Sequence, residues 1–281
     1  MNVVSTSRWQ RERIKPSFVI AAVFLCIVIV IAAFAPWITP YDPTLLLNPI
    51  TLASRYPTLA HPFGTDPYSR DILSRVIAGA RVSLVLSLVA VFISTTLGAL
   101  VGVISGISVG RLDRIVMRLV DVCLSIPRVL LLLTIIGLWG APSLAVLAIV
   151  LGVTGWMGTA RIVRAEFRAL RNHPRILAAR AIGANNFNIV VHHLLPDALP
   201  LVLVNATFGM GQVLLLESGL SYLGIGVQAP LASWGTILLD VGDVVGTGRW
   251  LIVAPGLVVI GTVVAMHRLG DALQVLLELP E

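Results

Sequence analysis

Long apolar runs constrain this chain more than any other feature of its sequence. Each run consists almost wholly of apolar residues, and the runs lie at about 17–35, 82–106, 119–138, 143–160, 198–217 and 250–267. A helix needs about 20 such residues to cross the hydrocarbon core of a bilayer. The composition agrees, because 57% of the 281 residues are hydrophobic and only 12% are charged. The sequence predicts an all-α integral membrane protein with about six transmembrane helices.

The basic residues predict how these helices are oriented. With the N-terminus inside, the inner segments hold 14 basic residues and the outer segments 36–81 and 218–249 hold five. Cytoplasmic loops of membrane proteins carry such an excess of Lys and Arg. We therefore expect a multi-pass protein with both termini in the cytoplasm. The net charge is +6, and the basic residues flank the apolar runs. This placement indicates contact with the lipid bilayer and no nucleic-acid partner.

The same pattern divides the chain into segments. We expect a cytoplasmic tail at 1–16, an uncleaved anchor helix at 17–35 and an extracytoplasmic loop at 36–81. A core at 82–275 holds five further spans and a cytoplasmic loop at 161–197, and a C-terminal tail follows at 276–281. The apolar stretch 218–227 is too short to span, so we expect a re-entrant or extracytoplasmic hairpin there, with a seventh span as the alternative.

One predicted span carries a regular series of small residues. These are Ser94, Gly98, Gly102, Gly106 and Gly110, and a spacing of four places them on one helix face. Small residues let two helix backbones approach closely in a membrane. The series predicts helix packing, either within one bundle or at an interface between subunits.

Common catalytic motifs are missing. Lys15, the only lysine, lacks the upstream glycines of a phosphate-binding loop, and no histidine precedes a glutamate as in a zinc protease. The run 106–110 fits the GxSxG pattern formally, but it ends a membrane helix instead of following a strand. We expect a chain that is not an enzyme and binds no metal or cofactor itself.

Few ionisable residues lie in or near the spans. Asp121 and Arg128 are seven residues apart, two turns along one face of the predicted span, and Glu217 lies at an outer helix end where water is near. Such residues are costly in lipid and by default functional. They form no chain of carboxylates, which disfavours an ion-coupled secondary transporter.

The loop 161–197 contains a predicted helix. Asn172 or His173 caps it, Pro174 takes the first helical position and Gly183 ends it. Such a helix suits either a groove in another protein or the lipid surface, and these features leave both open.

This loop resembles the signature loop of ABC importer permeases through Ala178-Ala179, Gly183 and a distal Leu195-Pro196. In that family the helix of the loop docks on the ATPase subunit. Leu177 stands where the signature has an acidic residue. The resemblance implies an ATPase-coupling role for His173, Pro174, Leu177, Ala178, Ala179, Arg180, Gly183, Ala184, Leu195 and Pro196.

The resemblance extends over about residues 16–275 and points to one branch of the family. Motifs similar to those of dipeptide, oligopeptide and nickel importer permeases lie at 61–66, 69–75, 79–84, 117–121, 125–127, 217–224, 233–235, 255–256 and 269–271. The segment 40–43 ahead of them is similar to the C-type half of the permease pair. Many motifs in the right order make the resemblance specific.

The resemblance implies a complex in a bacterial inner membrane. This chain would form the translocation path with a homologous B-type permease, two ABC ATPase subunits would bind ATP and Mg²⁺, and an extracytoplasmic solute-binding protein would deliver the substrate. We expect di- or oligopeptides as the substrate, with nickel or another small solute as the alternative. An ion-coupled secondary transporter is a further alternative.

Overall fold

The computed structural model describes residues 16–108, 110–242 and 249–277. The predicted tails at 1–16 and 276–281 lie mostly outside the described residues. Apart from one isolated bridge between Thr65 and Asp71, the regular elements of the described residues are helices. They are α1 (Pro16–Ile38), α2 (Pro49–Leu52), α3 (Ile72–Ile107), α4 (Arg111–Ser125), α5 (Arg128–Trp139), α6 (Leu144–Val153), α7 (Trp156–Leu170), α8 (Pro174–Ala181), α9 (Asn186–Ile189), α10 (Leu195–Tyr222), α11 (Trp234–Gly242) and α12 (Arg249–Leu277). A short π-helix, Val190–Leu194, joins α9 to α10.

The predicted all-α membrane fold is confirmed. Within the described residues, five stretches are long and apolar enough to span a bilayer, and a bent helix pair brings the number of candidate spans to six. The five are Pro16–Ile38, Ile72–Ile107, Leu144–Leu170, Asn186–Tyr222 and Leu251–Leu277. We call the end of the bundle that carries α8 the α8 end, and the opposite end, with α2 and α11, the α2 end.

The helix α3 extends ten residues before the predicted start of its span at 82. It begins where the Asp71 carboxylate accepts a hydrogen bond from the backbone N–H of Ser74 at 2.8 Å, which is the usual geometry of an N-cap. Its charged first turns are possible because Arg75 is paired and buried. Periodic apolar sequence alone therefore located the membrane part of α3 but not its full length.

The predicted span 119–138 is bent. Its halves, α4 and α5, meet at 80°, because Ile126 adopts the extended backbone that a following proline favours. Asp121 and Arg128 consequently do not share a face. Asp121 forms an ion pair with Arg161, and Arg128 donates a hydrogen bond to the carbonyl of Leu151 at 2.7 Å.

The small-residue face of α3 packs against α7 of the same chain. An ideal Cβ on Gly98 would lie 2.5 Å from the Cβ of Thr159, one on Gly102 would lie 2.7 Å from that of Val163, and one on Gly106 would lie 2.6 Å from that of Phe167. Side chains at these positions would separate the two backbones. Of the two interpretations of the series, the structure shows packing within one bundle for these three glycines.

Gly110 does not take part in the packing that the spacing of four predicts. It lies beyond the C-terminus of α3 with φ of 94°, and an ideal Cβ there would meet nothing within 4 Å among the described residues. The helix has already ended at Ile107, so the spacing of four no longer places this glycine on the packed face. Its positive φ, which glycine adopts at little cost, explains the residue type instead.

The chain folds back at the α2 end in the region that includes the predicted hairpin. The helix α10 ends at Tyr222, and α11 follows with nine residues, too few to cross a bilayer. The indole N–H of Trp234 on α11 donates to the carbonyl of Val76 at 3.1 Å, and Trp234 is fully buried. The returning segment is thus packed against protein, as backbone at this depth requires.

Candidate functional site

The α8 segment is fixed to the bundle by its inner face. Ile176 and Ala179 are buried, and Ile176 belongs to an apolar cluster with Val163 and Phe167 of α7 and Leu194 beside α10. Burial of a side chain such as Ile176 contributes about 1.5–3 kcal/mol. These contacts attach α8 to α7 and to the segment that precedes α10.

The start and end of α8 follow from local sequence. Pro174 takes the first helical position after His173, whose backbone is extended. Gly183 has φ of 92°, and the backbone N–H of Ala184 returns to the carbonyl of Ala179 at 3.0 Å. These features form a glycine-terminated helix end. An ideal Cβ on Gly183 would meet nothing within 4 Å, so its surroundings among the described residues are open.

The outer side of this segment presents apolar side chains to the surroundings. We define the α8 face by its exposed members Leu177, Ala178, Ile182 and Phe187. Ile182 is 87% exposed and Phe187 is 71% exposed. Contiguous exposed apolar surface marks a site of interaction. Leu177 and Ala178 lie on α8, Ile182 directly follows it and Phe187 lies on α9. The face therefore covers the whole α8 segment, and its exposed apolar side chains are suited to docking another protein.

Sequence reasoning located this segment but did not separate its two sides. It grouped Ala178 with Ala179, whereas the structure exposes Ala178 and buries Ala179. It missed Ile182 and Phe187, although an isolated apolar residue on each side of the Asn185-Asn186 cap was a usable signal. Among the other predicted residues, Arg180, Leu195 and Pro196 are exposed and Ala184 is half-buried.

An ionic cluster beside α8 joins three helices. Asp113 of α4 accepts hydrogen bonds from Ser105 of α3 at 2.5 Å, from Arg164 of α7 at 2.5 and 2.8 Å and from Arg168 at 2.5 Å. A second pair joins Arg175 of α8 to Asp197 of α10. Neither group could be predicted from the sequence, because the partners lie far apart in the chain.

The α2 end holds a more deeply buried ionic network. The Asp66 carboxylate accepts from Arg70 Nε at 2.6 Å and from Arg75 Nη1 at 2.5 Å. Both arginines also reach Asp240 of α11, at 2.8 and 2.7 Å. These four residues, which we call the α2 network, tie the segment before α3 to the segment after α10.

Glu217 lies deeper between the helices than its position at a helix end suggested. The expectation that it lies near water is wrong, because it is fully buried. Its carboxyl group accepts from the hydroxyls of Ser83 at 3.0 Å and Ser221 at 2.8 Å. Ser83 in turn accepts from the backbone N–H of Trp234 at 3.2 Å. Glu217 therefore connects α10, α3 and α11.

Comparison with known proteins assigns this architecture to a family. Residues 98–278 match the family described as "Binding-protein-dependent transport system inner membrane component". The chain belongs to this family. It is a permease subunit of an ABC importer, and the resemblance expected from its motifs is confirmed. Residues 7–61 of the permease also match the N-terminal transmembrane domain of oligopeptide transport permease C.

Relatives match the permease over most of their length. The dipeptide transport system permease protein DppC of Bacillus subtilis is 34% identical, over 95% of this chain and 82% of the relative. The oligopeptide transport system permease protein OppC of Haemophilus influenzae is 32% identical, over 98% and 89%. An inward-facing structure of the MetNI methionine ABC transporter shares the fold, with a TM-score of 0.56 and 25% identity over 72% of this chain and 97% of that one.

Proposed function

We propose that the permease forms, with a homologous B-type permease, the translocation path of an ATP-driven importer of di- and oligopeptides. The observation that carries this proposal is the pair of family matches, one to the transport core and one to the N-terminal segment. The relatives named for dipeptide and oligopeptide transport, matched over more than four fifths of their length, support the choice of substrate.

In this proposal the α8 face docks on one of two ABC ATPase subunits. Those subunits bind ATP and Mg²⁺ and hydrolyse the ATP, whereas this chain catalyses no reaction. Closure of the ATPases would displace α8, and the burial of Ile176 against Val163 and Phe167 would pass that displacement to α7. The glycine contacts would then carry it to α3 as movement of a rigid element.

The same proposal sets the orientation in a bacterial inner membrane. The α8 end faces the cytoplasm with both chain termini, since the inner segments carry most of the basic residues. The α2 end faces outward and receives the solute-binding protein. The described part of the chain places no group of three His, Cys, Asp or Glu side chains where they could hold a metal ion, which favours a peptide over nickel.

Two measurements test the assembly and its substrate. Purification of the tagged permease from gently solubilised membranes should recover a second permease and two ATPase subunits. Uptake by the reconstituted complex with its binding protein should require ATP and saturate with peptide. Recovery of the chain alone in several mild detergents, or uptake of nickel without peptide, would contradict the proposal.

Site-directed cross-linking tests the docking face, and neighbouring alanines provide the matched control. Ala178→Cys places a thiol on the exposed side of α8, whereas Ala179→Cys places one on the buried side, where the parent residue is 8% exposed. Both native thiols, Cys26 and Cys123, are exposed, so both variants are made with these two residues replaced by Ser. A short bifunctional reagent should then join the first variant to an ATPase subunit and leave the second unreacted. Equal cross-linking of both, or of neither, would show that α8 docks differently.

A further inference from the structure

A polar cavity of about 90 Å³ lies inside the bundle at membrane depth. Its polar lining comes from four helices and consists of Ser94, Thr95, Arg128, Thr159, Asn205 and Gln212. Ser94 stands near the middle of the apolar run 82–106, and Asn205 and Gln212 lie on either side of the middle of the run 198–217. The cavity is therefore far from both membrane surfaces.

The cavity contains a cation without an anion. No carboxylate of a described residue lies within 4 Å of the nitrogens of Arg128. One of its nitrogens donates to the carbonyl of Leu151 at 2.7 Å, and its Nε is buried without a hydrogen-bond partner in the described part of the chain. This differs from Arg70, Arg75, Arg161 and Arg164, each of which is paired with an aspartate.

The surroundings make room for this guanidinium. An ideal Cβ on Gly155 would lie 2.7 Å from Arg128 Nη2, so the absence of a side chain there allows the arginine to reach into the cavity. Asn205 donates to the hydroxyl of Thr159 at 2.8 Å, which orients one amide on the wall. Gln212 is exposed on the outside of the chain, so the cavity is open on that side.

An unpaired cation and polar groups at this depth are costly if they face lipid, and such residues instead face a water-filled path or protein. Guanidinium groups bind carboxylates through charge-assisted hydrogen bonds in a planar geometry. Hydroxyl and amide side chains supply donors and acceptors for peptide groups. A peptide substrate supplies an anion to pair with Arg128, because the C-terminus of the peptide is a carboxylate.

We propose that Arg128 and the polar cavity form a binding subsite for the C-terminal carboxylate of the peptide during translocation. This assignment rests on the proposed function and adds a specificity-determining residue within the permease itself. It predicts that the transporter distinguishes a peptide acid from its C-terminal amide at a step after the binding protein has released its cargo.

The test compares uptake of one peptide as its free acid and as its C-terminal amide by the complete complex in proteoliposomes. The binding protein is the same throughout, so a change in the acid-to-amide ratio between variants reports on the permease. Arg128→Gln should lower this ratio by about tenfold, because it removes one charge-assisted contact with the carboxylate while the peptide is in the cavity. Arg128→Lys, which keeps the charge, should preserve part of the preference.

Arg118→Gln is the matched control, because Arg118 is an exposed arginine on α4 that does not line the cavity. It should leave the ratio unchanged. Equal losses of acid and amide uptake in Arg128→Gln would show that Arg128 acts only by bridging to Leu151, and an unchanged ratio at full activity would also overturn the subsite. Failure of the unsubstituted complex to import either peptide would instead refute the proposed function, and with it this assignment.

Discussion

The two ends of the bundle hold their charges in different ways. In the α2 network, the side chains of Asp66 and Arg75 are 0% and 3% exposed. At the α8 end, Asp113 is also buried, but its partner Arg168 is 45% exposed, as is Arg175 at 46% in the neighbouring pair. Ion pairs of exposed groups contribute little and rearrange easily, whereas a buried pair is costly to break.

This difference agrees with the proposed division of labour. The α2 network joins the segment before α3 to α11 through buried ion pairs, which are costly to break. The looser pairs lie beside α8, where the ATPases are proposed to bind and to displace the helix. Ion pairs that break and re-form in a second arrangement suit the α8 end, because this end is proposed to transmit movement.

Removing the charge of Asp66 should give the largest loss of stability. Among the described residues, Asp66→Asn leaves the buried guanidinium of Arg75 with Asp240 as its one remaining charged partner, and we expect a loss of about 3 kcal/mol. The thermal unfolding midpoint of the solubilised complex measures it. Asp42→Asn is the control, since Asp42 is exposed and its carboxylate accepts hydrogen bonds from Thr44, two residues along the chain, and it should leave the midpoint unchanged.

The corresponding change at the α8 end should cost less. Asp113→Asn removes the partner of Arg164 and Arg168, but both cations can turn to water, so we expect a loss of about 1–2 kcal/mol. The same thermal measurement checks it, and added salt should reduce the difference from the unsubstituted complex. A loss as large as that of Asp66→Asn would mean that the α8 end is as rigid as the α2 end.

Gly183→Trp should lower the stability of the permease only slightly but should uncouple ATP hydrolysis from peptide uptake. The positive φ of Gly183 is strained for any other residue, by about 1 kcal/mol, and the indole would project from the end of the α8 segment. We expect the variant to insert in the membrane and to assemble. ATP hydrolysis should no longer drive uptake, which parallel assays of phosphate release and peptide accumulation would show.

Gly140→Trp is the matched control for this variant. Gly140 also ends a helix with positive φ, 87°, and no atom of a described residue lies within 4 Å of its ideal Cβ, but it lies on the α5–α6 turn. Its loss of stability should be similar, with coupling retained. Wild-type uptake in Gly183→Trp would contradict docking at α8, and uncoupling in both variants would attribute the effect to backbone strain.

Local patterns predicted the parts of the fold that depend on neighbours in sequence. Apolar runs located the spans, and Pro174 with Gly183 predicted both ends of α8. Pro127 within an apolar run indicates a kink, but a proline there is compatible with either a kink or a full break, so the 80° angle between α4 and α5 could not be predicted. The separation of Ala178 from Ala179 depends on how α8 lies on α7, which no spacing within the loop specifies.

The ionic groups were beyond sequence reasoning for a related reason. Asp66 and Asp240 bind the same two arginines only after α3 has packed against its neighbours. The same holds for the ion pair between Asp113 and Arg164. Arg128 was noticed as an intramembrane charge, yet that none of the described carboxylates pairs with it became visible only when the helices around it were in place. A single sequence thus indicates which charges are costly but not which of them are satisfied.

The smallest effect on stability should come from Ile182→Ser. Ile182 is 87% exposed, so its removal should change the free energy of unfolding by less than about 0.5 kcal/mol. If the α8 face docks on an ATPase, the same change should weaken association of the ATPase with the permease by several-fold, measured by titrating purified ATPase onto permease in nanodiscs.

Leu59→Ser, at a fully exposed position of the α2 end, should leave association unchanged. Unchanged association in both variants would leave the exposed apolar side of α8 without a role in docking, and equal weakening would mean that the two ends do not differ as binding surfaces.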